Sequence, residues 1–129
     1  MRQTNNMEEE IMQARALVIQ YADNLAKKNI EGILNALSDD VQLKLRDGIS
    51  LEGKSIVRDF YEKSFAKGDY TFSHEFLDEK VVADLTFVNG KLNKNYIRVG
   101  KQAEITIYYF SFILKKVAGE LKLWQLRVV

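Results

Sequence analysis

The chain has 129 residues, 47% of them apolar and 29% charged, ordinary values for a globular protein long enough to bury one core. Nineteen basic residues against eighteen acidic ones leave a formal net charge of +1, so no excess of sign steers the chain toward nucleic acid or an anionic membrane. Cysteine is absent, which excludes disulfides, thiolate nucleophiles and thiolate-held metals.

Residues 1–129 are expected to form a single domain, with residues 1–6 as a flexible tail. Met1 to Glu10 carries no apolar segment of the kind a signal peptide needs, and the longest apolar run is too short to span a bilayer as a helix. The expectation is a cytoplasmic protein with neither membrane nor nucleic acid as a partner.

Ile11, Ala14, Val18, Tyr21, Ala22 and Leu25 recur at helical spacing and predict one long amphipathic helix. Asn5 or Asn6 is its expected cap, and Lys27, Lys28 and Asn29 suit its C-terminal end. A shorter helix follows, with Ile30, Ile33, Leu34 and Leu37 on one face and Ser38-Asp39-Asp40 as its stop. Val41 to Arg46 alternates apolar with polar and predicts a half-buried strand, ended by an Asp47-Gly48 turn. Gly53 to Ala66 returns to helical spacing, with Ile56, Val57, Phe60, Tyr61 and Phe65 sharing a face and Gly68 as C-cap.

Strands are then predicted at Tyr70–Leu77, Val81–Val88, Ala103–Leu114 and Leu121–Val129. Asn89-Gly90 and Ala118-Gly119 supply turn chemistry, and Lys91–Lys101 reads as a loop or an irregular strand extension. The third of these strands is unusual. Ile105, Ile107, Tyr109 and Ile113 lie on one side of it, Tyr108, Phe110, Phe112 and Leu114 on the other. A strand apolar on both faces is covered twice. The helices cover one face, and a second copy of the chain is the expected cover of the other, giving a homodimer through the sheet face. Helices first and strands afterwards indicate the α+β class, with helices on one face of an antiparallel sheet.

The element order, together with Ala22-Asp23-Asn24-Leu25-Ala26-Lys27-Lys28-Asn29-Ile30-Glu31-Gly32-Ile33, Leu37-Ser38-Asp39-Asp40-Val41 and Gly53-Lys54-Ser55-Ile56-Val57-Arg58-Asp59-Phe60-Tyr61, resembles the nuclear transport factor 2-like superfamily, with its SnoaL-like and ketosteroid-isomerase-like members. The resemblance implies a curved antiparallel sheet wrapped around the N-terminal helices, a cone with a pocket. Laid against ketosteroid isomerase, Tyr21 takes the place of the tyrosine that hydrogen-bonds the developing oxyanion, and Tyr61 that of a second tyrosine supporting it. The place of the catalytic aspartate base falls on Leu45, and that of a protonated, oxyanion-binding aspartate falls on Tyr108. One donor is kept, one is replaced by another hydroxyl, and the base is absent. Other members with known chemistry use His, Asp or Arg combinations in that pocket.

Tyr21, Tyr61 and Tyr108 are the candidate ligand-binding hydroxyls, suited to a carbonyl, enolate or phenolate oxygen in an apolar site; three amphipathic core tyrosines would read the same way. Phe60, Phe110 and Trp124 are candidate walls. His74, the single histidine, is a candidate general base with Tyr21 as polarising acid, although a lone histidine on an apolar strand face also serves as a plain structural residue. No metal site is expected, because Glu75 points away from His74 and no second histidine exists. No glycine-rich phosphate cradle is present and no cofactor is expected. Asp84 shares a strand face with Val82 and Thr86, while Asp39, Asp40 and Asp47 read as turn or solvated residues. Binding of a small, largely apolar molecule carrying a carbonyl or hydroxyl group is the leading expectation. An isomerase, dehydratase or cyclase using His74 and Tyr21 is the first alternative, and a non-catalytic dimeric scaffold the second.

Overall fold

A computed structural model describes the backbone of residues 2–129 and the side chains from Met7 onward. Among the described residues, three helices and six strands follow one another as α1 (Arg2–Lys27), α2 (Ile30–Asn35), β1 (Leu37–Lys44), β2 (Ser50–Glu52), α3 (Lys54–Lys67), β3 (Gly68–Val82), β4 (Leu85–Arg98), β5 (Glu104–Val117) and β6 (Glu120–Val128). The strands form one curved, unclosed sheet in the order β2-β1-β6-β5-β4-β3, an α+β arrangement with the helices on its concave side. All neighbours are antiparallel except β1 and β6, which run parallel. Among the described residues, no helix is long and apolar enough to cross a membrane.

Helix α1 buries Ala14, Val18, Tyr21, Ala22 and Leu25, the stripe its spacing dictates. It starts earlier than its sequence suggests: Asn5 and Asn6 lie within the helix and not at its start, while Met1 of the expected tail lies outside the described residues. Its end is built by Lys28, whose backbone turns left-handed (φ 59°) and whose Nζ reaches the Phe65 carbonyl at 3.0 Å. Asn29 then caps α2, its side chain accepting from the Gly32 amide at 3.1 Å. Arg15 of α1 pairs with Glu79 and lies over the Phe76 ring at 5.2 Å, tying the helix to β3. In α3, Val57, Tyr61 and Phe65 face inward, whereas Ile56 is turned out and 50% exposed, one position beyond the width of the buried stripe.

Several local signals are overridden by pairing. Ser38-Asp39-Asp40 does not stop a helix but lies inside β1, where the register with β6 shifts between Leu37 and Gln42. That irregularity leaves both aspartates outside, where Lys54 meets Asp39 at 3.3 Å and Lys115 meets Asp40 at 2.8 Å. Gly68 stands at the C-cap of α3 as expected, but with extended backbone, so that the same residue opens β3. The short strand β2 carried too few residues to show a period.

The largest departure concerns Asn89-Gly90, a hairpin signal by composition that lies in the middle of β4. The β3–β4 turn falls instead at Ala83 and Asp84, with Ala83 at φ 54°, so Asp84 sits in a turn and not on a strand face. Gly90 pairs with Phe76 on one side and Phe110 on the other. A Cβ there would collide with the Glu75 carbonyl oxygen and fall 2.6 Å from the Phe110 ring. The register of β3 shifts between Phe76 and Asp78, just beside this point. A bulge and a bare backbone on adjoining strands bend the sheet. Of the two readings of Lys91–Lys101, the strand extension holds: residues 91–98 continue β4.

Strand β5 divides as its sequence requires. Phe110, Phe112 and Leu114 are buried on the concave face, while Ile105, Ile107 and Tyr109 remain 73%, 48% and 54% exposed on the other.

Replacing Gly90 with Ala must push the Phe110 ring and the β3 backbone apart. We expect a loss of about 1–3 kcal/mol of stability, the usual range for overpacking a close-packed site. Chemical denaturation of the variant checks it; an unchanged midpoint would show that the bend tolerates a side chain.

Candidate functional site

Between α1, α3 and the concave face of the sheet lies a cavity of about 210 Å³. Its inner wall is apolar, formed by residues such as Leu43, Leu92, Phe112 and Leu126 from four strands. Tyr21 comes from α1 and Phe60 and Tyr61 from α3. Tyr70, Phe72 and His74 project from alternate positions of β3, and Tyr108 from β5. Arg46 and Asp47, on the exposed turn after β1, mark the open end together with Lys94 of β4. The turn is closed by Leu45 and Ile49, the Leu45 amide donating to the Ile49 carbonyl at 2.8 Å.

The Tyr21 and Tyr61 hydroxyls hydrogen-bond each other deep in this wall, with ring centroids 6.4 Å apart in an edge-on arrangement. Burial pushes the Tyr21 hydroxyl far above its usual range, with the neighbouring Tyr61 adding to the effect. Burial likewise raises Tyr61, against a smaller lowering by its bond to Tyr21. Both therefore stay protonated near neutral pH. In such a pair one O–H donates to the other oxygen, and the second hydrogen is left for an acceptor from elsewhere.

His74 is half-buried, its ring stacked with Phe76 at 6.2 Å and edge-on to Phe110 at 5.7 Å. Burial pushes its pKa below the usual imidazole value, opposed by the negative charge of Asp23 on α1. The ring is accordingly a neutral acceptor at pH 7. Tyr70 is also raised by burial and stacks on Tyr96 at 4.6 Å. Leu45 lines the same cavity, so an alkyl chain stands at the position where the resemblance puts a carboxylate base.

Tyr21, Tyr61, Tyr108, Phe60 and His74 are thus brought to one cavity, whereas two expected wall residues are not. Phe110 is buried in the packing beneath, 4.9 Å from Phe112 between ring centroids. Trp124 misses the cavity because the β5–β6 register shifts between Ile113 and Leu114. The shift breaks simple alternation, turning Leu123 and Leu126 inward and leaving Trp124 half-buried against Lys115, whose Nζ is 4.6 Å from the indole. Asp47, read from sequence as a turn residue, lines the cavity from that turn, whereas Arg46, Lys94, Tyr70 and Phe72 were not singled out as site residues. Tyr70 and Phe72 share the period-two face of His74 and could have been found that way; Lys94 could not, since Lys91–Lys101 read as either a loop or an irregular strand extension and so gave no face. Among the described residues, no group of three or more His, Asp and Glu side chains could hold a metal ion.

No family model matches the chain, and no curated protein matches it in sequence. Solved structures match it closely in shape. A ketosteroid isomerase-like protein from Erwinia carotovora atroseptica superposes with a TM-score of 0.82 at 18% identity, over 93% of this chain and 95% of that one. A candidate scytalone dehydratase from Novosphingobium aromaticivorans gives 0.87 at 13% identity, over 99% and 87%. A protein of unknown function with a cystatin-like fold from Nostoc punctiforme gives 0.77 at 13% identity, over 91% and 87%. The chain has the nuclear transport factor 2-like fold.

The lowered pKa of His74 has a consequence for stability. The unfolded chain takes up a proton near the ordinary imidazole value, while the folded chain resists it to lower pH. Stability from this residue is full above about pH 6.5 and falls as pH drops toward the depressed folded value. Denaturation midpoints at pH 7.5 and 5.5 should therefore converge in His74→Gln relative to the wild type; an identical pH dependence in both proteins would contradict the assignment.

Proposed function

We propose that the protein binds a small, largely apolar ring compound whose carbonyl or hydroxyl oxygen sits at the Tyr21–Tyr61 pair. One observation carries this reading: two buried hydroxyls are bonded to each other in an apolar wall, which leaves one hydrogen without an assigned acceptor inside a cavity. A donor held in place in a dry site is electrostatically strong and orients what it meets. Size narrows the class. A dry cavity of about 150 Å³ accepts benzene, so the 210 Å³ found here suits a single ring with small substituents better than a fused steroid. The names of two structural neighbours, which refer to a ketosteroid and to scytalone, are compatible with an oxygen-bearing ring compound.

A proton-transfer enzyme of the isomerase, dehydratase or cyclase type is the second reading. It is favoured by the placement of His74 and Tyr21 on one cavity, with the imidazole held neutral and able to accept a proton. The missing carboxylate at Leu45 weighs against the family's own route.

We also propose that two copies pair through the convex sheet face. Ile105, Ile107 and Tyr109 form an exposed apolar row on adjoining positions of β5, a solubility liability for a lone chain. A non-catalytic dimeric scaffold would use the same surface.

Thermal shift against single-ring phenols, cyclic ketones and aromatic acids tests the binding reading. At least one class should raise the wild-type midpoint, and Tyr21→Phe should reduce that shift several-fold; no shift from any class would refute it. For a ketone that binds, deuterium exchange at the carbon beside the carbonyl, lost in His74→Gln, would establish the second reading, and its absence from the wild type would end it. Sedimentation of a dilute sample should give about twice the 14.9 kDa chain mass, and Ile107→Lys should return it to monomer or precipitate it. A wild-type monomer would remove the dimer.

A further inference from the structure

We infer that the open end of the cavity is an anion subsite, built by Lys94 and Arg46 around Tyr108, and that the ligand carries a carboxylate at the end opposite its Tyr21–Tyr61 contact. The inference rests on the binding role proposed above and adds a charge to the ligand.

Lys94 lies on the concave face of β4, across from Phe72 and Thr106, and is half-buried. Its Nζ is 5.2 Å from the Tyr108 ring centroid, 5.4 Å from Tyr70 and 5.8 Å from Tyr96. Arg46 approaches the same Tyr108 ring, its Cζ 4.5 Å from the centroid, while Nη2 donates to the Ile107 carbonyl at 3.0 Å. Two cations are therefore held against one aromatic ring. Ring faces attract an ammonium or guanidinium but do not neutralise it, and they leave most of its N–H donors unused.

The ion pairing elsewhere in the fold sharpens the contrast. Half-buried Lys54, Lys115 and Lys122 each meet a carboxylate, those of Asp39, Asp40 and Glu120. Half-buried Lys91 has Glu75 opposite it in the β3–β4 register, on the other face of the sheet from the cavity, with the two charges more than 4 Å apart. Among the described residues, neither Lys94 nor Arg46 has a carboxylate within 4 Å, and residues 1–6 contain no acidic side chain that could supply one. Among the described residues, Asp47 is the single acidic one lining the cavity, exposed on the turn beside Arg46, so the two cations outnumber it at the mouth. Like charges converging on one ring are best relieved by a bound anion, and a planar carboxylate fits both an ammonium and a guanidinium fork. The body of the same molecule then runs inward over Phe72 and Leu92 toward the tyrosine pair.

The test compares 4-hydroxyphenylacetate with its neutral primary amide by calorimetric titration at low and high salt. The acid should bind the wild-type protein at least ten-fold tighter than the amide, with an advantage that shrinks in high salt. Lys94→Gln and, separately, the surface-exposed Arg46→Gln should each bring the acid toward the amide, with folding of both variants checked by circular dichroism. Equal binding of acid and amide to the wild type would overturn the anion subsite and leave the pocket reading standing. An acid preference undiminished in both variants would overturn the assignment to these residues. Binding of neither compound would overturn the underlying pocket reading for such rings, and the subsite with it.

Discussion

The structure depends on a bend where Phe110 closes over the bare backbone of Gly90. A side chain at residue 90 would occupy the volume of the Phe110 ring and the Glu75 carbonyl. The β3 register shift between Phe76 and Asp78 adds an extra residue beside the same point. Together they let three long strands curl, and the curl makes a concave face deep enough to take α1. A flat sheet of the same strands would press its inner side chains directly against the helices. The hollow exists because the sheet turns away from them.

Once the face is concave, the helices can cover it only in part. Helix α1 fills the closed end with Ala14 and Val18, both fully buried, while further along the helix Tyr21 and Leu25 border the space that remains. Helix α3 closes the side through Tyr61 and Phe65, whose rings stack at 5.7 Å. The hydroxyl bond between Tyr21 and Tyr61 joins the two long helices in an interior otherwise held by apolar contact. It supplies direction where dispersion supplies none. The polarity of the cavity is thus graded, from neutral hydroxyls inside to cationic groups at the opening.

Much of this architecture was legible in the chain. The α1 stripe, the inward faces of β1 and β5 and the Ala118-Gly119 turn follow from periodicity and turn chemistry that act over a few residues. Tyr21 and Tyr61, singled out through a resemblance, both border the cavity. Errors arose where a local preference met a stronger pairing. Asn89-Gly90 has the composition of a hairpin, yet β3 and β5 bond to it from both sides and hold it extended. Trp124 alternates correctly with Leu126 only until a bulge shifts the β6 register by one residue.

The sequence by itself determined which residues prefer helix or strand and which face of each element is apolar, because those properties depend on neighbours one to four positions away. It also determined that β5 has two apolar faces. Only the tertiary structure decided where the sheet bends, which aromatic rings border the hollow and which pack beneath it. It alone brought Lys94 and Arg46 to one ring, since residues 48 positions apart in the chain share no local pattern. Their convergence is set by strand register and sheet curvature, properties that arise only when all the strands are paired at once.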